Sequence, residues 1–268
     1  MRTRIIRVVG GIATATAAGL AFTALPAQAA AAATATVGQP GSVRFDAAAG
    51  QANNLLITAQ GRVVTFDDDV AVTAGEGCTP VAGDDTRVTC DLGAPAIALG
   101  LVVNVRDGAD TVINDSAIGL LAAGGAGADL LIGSDTAADQ LRGEGGADEG
   151  SGRGGDDTVS GGPGNDRLFG GPGDDLLDGA AGADFFYGDE GDDLLRGGDG
   201  IDDMVGGPGA DVHDGGPGRD QVSYSERSVG VVADLDDVRG DDGEPGEGDW
   251  LLRVEDIVGT IENDVLTG

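Results

Sequence analysis

An aspartate recurs every nine residues from position 139 to position 220: Asp139, Asp148, Asp157, Asp166, Asp175, Asp184, Asp193, Asp202, Asp211 and Asp220. Asp129 precedes the series by ten residues, so one residue is inserted there, and Asp110 is a more isolated outlier with poorer flanking glycines. Two positions before each of the eleven regular aspartates stands a glycine, except at Asp139, where Ala137 replaces it. Two positions after each stand Leu131, Leu141, Gly150, Val159, Leu168, Leu177, Phe186, Leu195, Met204, His213 and Val222, nine of them large and apolar. A turn preference explains an aspartate in a loop, but not this constant phase with glycines and an apolar residue. Carboxylates brought together in register repel one another unless a cation lies between them. Calcium, a hard cation that takes six to eight oxygen ligands, suits carboxylates and turn carbonyls.

The elements needed to place these groups follow from the spacing. Glycine permits positive φ and close approach of neighbouring backbone, so the first six residues of each unit can form a tight turn. The last three then form a short strand whose middle side chain points inward. Two consecutive units make one coil with a strand on each side. Stacking the coils buries the apolar ladder and pairs each strand with its equivalent two units later. Asp166 is then expected to share a cation with Asp148 or Asp184, and not with Asp175.

The segments GGPGNDRLF, GGPGDDLLD, GGDGIDDMV and GGPGRDQVS resemble the glycine-rich nonapeptide of the RTX, or hemolysin-type, calcium-binding repeats, in regular form over residues 124–223. The resemblance implies an all-β fold, a parallel β-roll solenoid. It also implies several Ca2+ ions, each bound between the turn of one repeat and that of the repeat two further on, through the sixth-position aspartate and backbone carbonyls. Carried over by position, the side-chain ligands would be Asp129, Asp139, Asp148, Asp157, Asp166, Asp175, Asp184, Asp193, Asp202, Asp211 and Asp220. The turn glycines would be Gly124, Gly127, Gly143, Gly146, Gly152, Gly155, Gly161, Gly164, Gly170, Gly173, Gly179, Gly182, Gly188, Gly191, Gly197, Gly200, Gly206, Gly209, Gly215 and Gly218. Three departures stand out. GSDTAAD at 133–139 lengthens one turn, Gly150 leaves a gap in the inward ladder, and His213 puts a titratable ring there.

The rest of the chain frames this block. Residues 1–29 read as a signal peptide, with Arg2, Arg4 and Arg7 before an apolar stretch that ends in Ala27-Gln28-Ala29, which predicts a secreted or cell-surface product with no membrane span after cleavage. A flexible Ala/Thr-rich segment follows at 30–39, then a β-rich capping region at 40–104 and a degenerate repeat transition at 105–123. The capping region is expected to be a small β meander tied by a disulfide between Cys78 and Cys90, since export favours the oxidised state. Residues 224–268 form a C-terminal capping segment with a degenerate repeat around Asp264.

Composition narrows the function classes. The formal charge is −32, from 47 acidic against 15 basic residues, a poor surface for nucleic acid and a good one for metal cations. His213 is the only histidine, and no HExxH, GxSxG or phosphate-loop pattern occurs, so no catalytic residue is expected and the chain is read as a non-enzyme. On the outward strand positions Phe169, Phe185 and Tyr187 gather on one face. That cluster is either simple packing, across strands or under a terminal segment, or a site for protein contact or self-association. Two functions remain open: a secreted calcium-binding module that folds on meeting Ca2+, and a calcium-stabilised adhesion or assembly protein using the aromatic patch.

Overall fold

The structure, a computed structural model, describes residues 32–38, 42–92, 100–236, 238, 240 and 242–268, so the expected signal peptide and part of the Ala/Thr-rich segment lie outside the described residues. The fold is all-β, built on two long and largely parallel sheets of 11 and 12 strands with a separate two-stranded pair. Within the repeats each sheet takes every second strand. Leu176–Gly182 pairs with Leu194–Gly200 in one, and Phe185–Tyr187 pairs with Asp203–Val205 in the other.

The register confirms the two-unit coil. Leu141 lies opposite Val159, then Leu177, Leu195 and His213, each exactly two nonapeptides further along the chain. Pairs that span residues 133–138 are offset by one more, as Leu130 is from Glu149, because Ser134 folds the inserted residue into its own small turn. Ser134 Oγ accepts the Ala137 N–H at 2.9 Å. The inward side chains of both ladders are almost wholly excluded from water, from Leu131 at 1% exposed through Phe186 and Met204 at 0%. Burying each such side chain contributes on the order of 1.5–3 kcal/mol. At Gly150 the neighbours have closed in, since a Cβ there would stand 2.5 Å from Val159 Cγ1.

Glycine is sterically required where turns stack. A Cβ on Gly182 would stand 1.4 Å from the Gly164 carbonyl oxygen, and its φ of +151° is one that L residues rarely adopt. The position-two residues Glu144, Arg153, Ala180 and Asp189 adopt positive φ without being glycine, between 73° and 78°.

The N-terminal strands form the disulfide-tied β region expected of them, with antiparallel pairs on its outer side. Ala33–Val37 is antiparallel to Ser42–Asp46, and Val63–Asp67 to both Asn54–Gln60 and Asp84–Asp91. Yet Ser42–Asp46 and Asn54–Gln60 pair in parallel with Gly100–Asn104 and Thr111–Asp115, and so begin the two sheets of the roll. Their alternating buried residues Val43, Phe45, Leu55 and Ile57 extend the inward ladders, which is why they dock there. Cys78 and Cys90 face each other across the outermost hairpin and are disulfide-bonded.

The C-terminal segment adds a further coil. After the loop that begins at residue 224, Trp250–Leu252 pairs with Val212–Asp214, and Asp256–Val258 with Gln221–Ser223. Leu251 continues one inward ladder beside His213, and Ile257 the other beside Val222. The degenerate repeat around Asp264 places Val265–Thr267 parallel to Val232–Asp234 as the separate pair.

Candidate metal centres along the two edges

Each sixth-position aspartate leaves the end of a turn just before a strand, and the stacking places it directly beside its equivalent in the next coil. The carboxylate then accepts a backbone N–H from the coil before it. Asp148 N–H donates to Asp166 Oδ1 at 2.8 Å, and Asp166 N–H donates to Asp184 Oδ1 at 2.8 Å. The expected partners of Asp166 are thus the ones it meets. The same bond runs along the opposite edge through Asp157, Asp175, Asp193 and Asp211, at 2.7–3.0 Å.

Two unbroken ladders result. One passes through Asp110, Asp129, Asp148, Asp166, Asp184, Asp202 and Asp220, and the other through Asp139, Asp157, Asp175, Asp193 and Asp211. Every one of these aspartates is buried, at 0–4% exposed.

The second carboxylate oxygen is treated differently. In Asp110, Asp129, Asp148, Asp157, Asp166, Asp175, Asp184, Asp193, Asp202, Asp211 and Asp220 the Oδ2 atom is buried with no hydrogen-bond partner. All but that of Asp110 face the first glycine of their own turn. At Gly143 a Cβ would stand 2.3 Å from Asp148 Oδ2 and 2.7 Å from the Gly161 carbonyl oxygen of the next coil. A cradle that only glycine leaves open, lined by a carboxylate oxygen and a carbonyl, is a donor set for a hard cation. Leaving so many carboxylates buried without a counter-charge is unfavourable.

Burial acts accordingly on the protons. It raises the carboxyls of Asp157, Asp175 and Asp193 to about 7, of Asp211 to about 8, and of Asp110, Asp184 and Asp202 to about 6. Hydrogen bonds from the backbone oppose that rise, and neighbouring ladder carboxylates add to it at several positions. Among the described residues no three acidic, histidine or cysteine side chains converge on one point. A cation on either edge would therefore draw on carboxylates from successive coils and on turn carbonyls together.

Asp139 stands apart. Its Oδ2 accepts the Ser134 N–H at 2.6 Å, so the lengthened turn already occupies the oxygen that its neighbours leave open.

Three ladder members lie outside the regular series. Asp110, the sequence outlier, accepts the Asn53 N–H at 2.6 Å and donates its own N–H to Asp129. Asp249 Oδ1 accepts from Asp211 N–H at 3.0 Å, and Glu255 Oε2 accepts from Asp220 N–H at 2.8 Å. The loop hides their phase, because it separates Asp249 from Asp211 by far more chain than the two units of a regular coil. The surviving signal is the apolar residue two places on, Leu251 after Asp249 and Ile257 after Glu255.

His213 is fully buried on its ladder, and neither ring nitrogen has a partner. Burial lowers its pKa to about 4, so the ring is neutral at ordinary pH. On the outer face Phe169 and Phe185 pack with centroids 6.2 Å apart, while the Tyr187 hydroxyl donates to Glu226 at 2.6 Å. The Tyr187 hydroxyl is thus tied to the chain's own C-terminal segment.

Residues 123–159, 151–186 and 187–222 match the RTX calcium-binding nonapeptide repeat, a family unit of four copies. No curated protein matches the chain. Residues 123–222 are RTX calcium-binding repeats folded as two stacked parallel sheets, with a ladder of buried aspartates on each edge.

Proposed function

We propose that this RTX block binds several Ca2+ ions between successive turns on both edges and that its folding depends on them. The observation that supports this reading is the set of buried Oδ2 atoms, repeated in register and without partners, ten of them beside a glycine cradle. Asp129, Asp148, Asp157, Asp166, Asp175, Asp184, Asp193, Asp202 and Asp220 would supply the carboxylates, with Asp211 contributing toward the Asp193 turn that precedes it, and the turn carbonyls of the adjacent coil the remaining protein oxygens. Bound calcium supplies the positive charge that lets these carboxylates stay ionised while buried. Asp139 would contribute least, because Ser134 holds its second oxygen.

The protein on this reading is a secreted, non-catalytic calcium-binding module. The Cys78–Cys90 disulfide fits an oxidising compartment, and among the described residues no helix is long and apolar enough to cross a membrane. Calcium titration of the metal-free protein followed by circular dichroism tests the proposal. A cooperative gain of β signal, reversed by chelator and weakened when Asp166, Asp175, Asp184 and Asp193 are changed to Ala, is the expected result. Full β structure persisting in excess chelator would overturn it.

A further inference from the structure

The C-terminal end of one edge differs from every turn pair before it. Asp211 there meets Asp249, across from the loop that begins at residue 224. In the regular array the carbonyl of a position-two residue lies against the position-two glycine of the next coil, as Arg153 O lies against Gly171 and Asp189 O against Gly207. The carbonyl of Gly207 instead accepts a hydrogen bond from the Arg227 guanidinium. That guanidinium is only 12% exposed, sits 2.8 Å from Glu247 Oε1 and reaches Glu244 at 4.0 Å. The second oxygen of Asp249, the counterpart of the orphaned Oδ2 atoms, already accepts the Tyr224 hydroxyl at 3.0 Å.

We propose that Arg227, with the Tyr224 hydroxyl, takes the place of a cation at this last turn pair, so that the Gly207 carbonyl, Glu247 and Asp249 are satisfied by the protein's own donors and residues 206–211 and 243–249 meet without a calcium ion between them. The inference rests on the calcium reading of the preceding turns. A planar guanidinium carries a permanent charge and several N–H donors, so it can satisfy a carbonyl and a carboxylate at once, as a metal ion would. Its presence also repels a second cation from the same space.

The test counts calcium per chain, by elemental analysis after dialysis into calcium buffer, for the full chain and four variants. Arg227→Gln should bind one more ion than wild type, because Glu247 and the Gly207 carbonyl lose their cation beside the open Oδ2 of Asp211, and Arg227→Lys should keep the wild-type number. Asp249→Asn should leave the number unchanged, whereas Asp193→Asn, in the interior of the same edge, should lose at least one ion. An unchanged number in a folded Arg227→Gln, or a loss in Asp249→Asn matching that in Asp193→Asn, overturns the inference while leaving the calcium reading intact. If Arg227→Gln does not fold, the comparison of Asp249→Asn with Asp193→Asn decides alone. Wild-type protein that holds no calcium removes the underlying reading, and this inference with it.

Discussion

At the scale of single residues, the buried polar atoms separate two kinds of position. The regular ladder aspartates other than Asp139 keep an oxygen open beside a glycine cradle, whereas His213 buries two ring nitrogens between Leu195 and Leu251, where an apolar residue would pack. An unsatisfied buried polar group costs about 1–3 kcal/mol. His213→Leu should therefore raise the thermal midpoint of the calcium-loaded protein, with a stabilisation of about 1–3 kcal/mol measured by denaturant unfolding; a lower midpoint would contradict this account. Gly182→Ala should do the opposite, because its Cβ would overlap the Gly164 carbonyl at 1.4 Å and force the two coils apart. The expected outcome is a clear loss of stability, beyond about 2 kcal/mol, seen in the same unfolding experiment.

At the scale of the elements, each coil is a pair of short strands joined by turns whose carboxyls resist ionisation. The pH dependence of the metal-free protein follows from that. The ladder carboxyls rise from an ordinary value near 3.8 to between about 6 and about 8 at eight positions of the edges, Asp249 at about 7 included. A folded-state value above the unfolded one means that the folded chain holds the proton more tightly. Its contribution to stability is complete below the unfolded value and is lost as pH rises through the folded one. His213 works in the other direction, since its value falls from 6.5 to about 4 and its protonation favours unfolding between those limits. One histidine is outnumbered by the aspartates. Metal-free protein should therefore show more β signal by circular dichroism at pH 5 than at pH 8, and a flat or reversed profile would contradict the burial of the ladder. On the calcium reading, the same linkage would make binding release protons near neutral pH.

At the scale of the whole molecule, the two sheets run from the N-terminal strands, with the disulfide-tied hairpin at the edge of the 12-stranded one, through the repeats, to the coil completed by Trp250–Leu252 and Asp256–Val258. Apolar packing runs through all three parts, the disulfide adds covalent closure at one end, and on the proposed reading calcium would neutralise the edges of the middle. Reducing Cys78–Cys90, which are separated by 12 positions in sequence, should lower the stability of the N-terminal end by about 3 kcal/mol. It should leave the number of bound calcium ions unchanged, because no ladder aspartate lies within that hairpin. Denaturant unfolding with and without reductant, combined with calcium analysis, checks both halves of the prediction.

Periodicity by itself determined the regular part of this protein. A glycine, an aspartate and an apolar residue in constant phase dictate turn, ladder and inward strand, because a parallel coil repeats the same local environment at every second unit. Features that depend on contacts between distant segments were decided only by the tertiary structure. Nothing in the spacing shows that Val43, Phe45, Leu55 and Ile57 begin the roll, for their partners Leu101, Val103, Val112 and Asn114 lie beyond the whole disulfide-tied hairpin. Asp249 and Glu255 likewise return to the ladder only after a loop that breaks the count, and Arg227 reaches Gly207 from within that loop. A repeat encodes its neighbour two units away, but where the count is interrupted, burial of apolar side chains and pairing of charge choose the register.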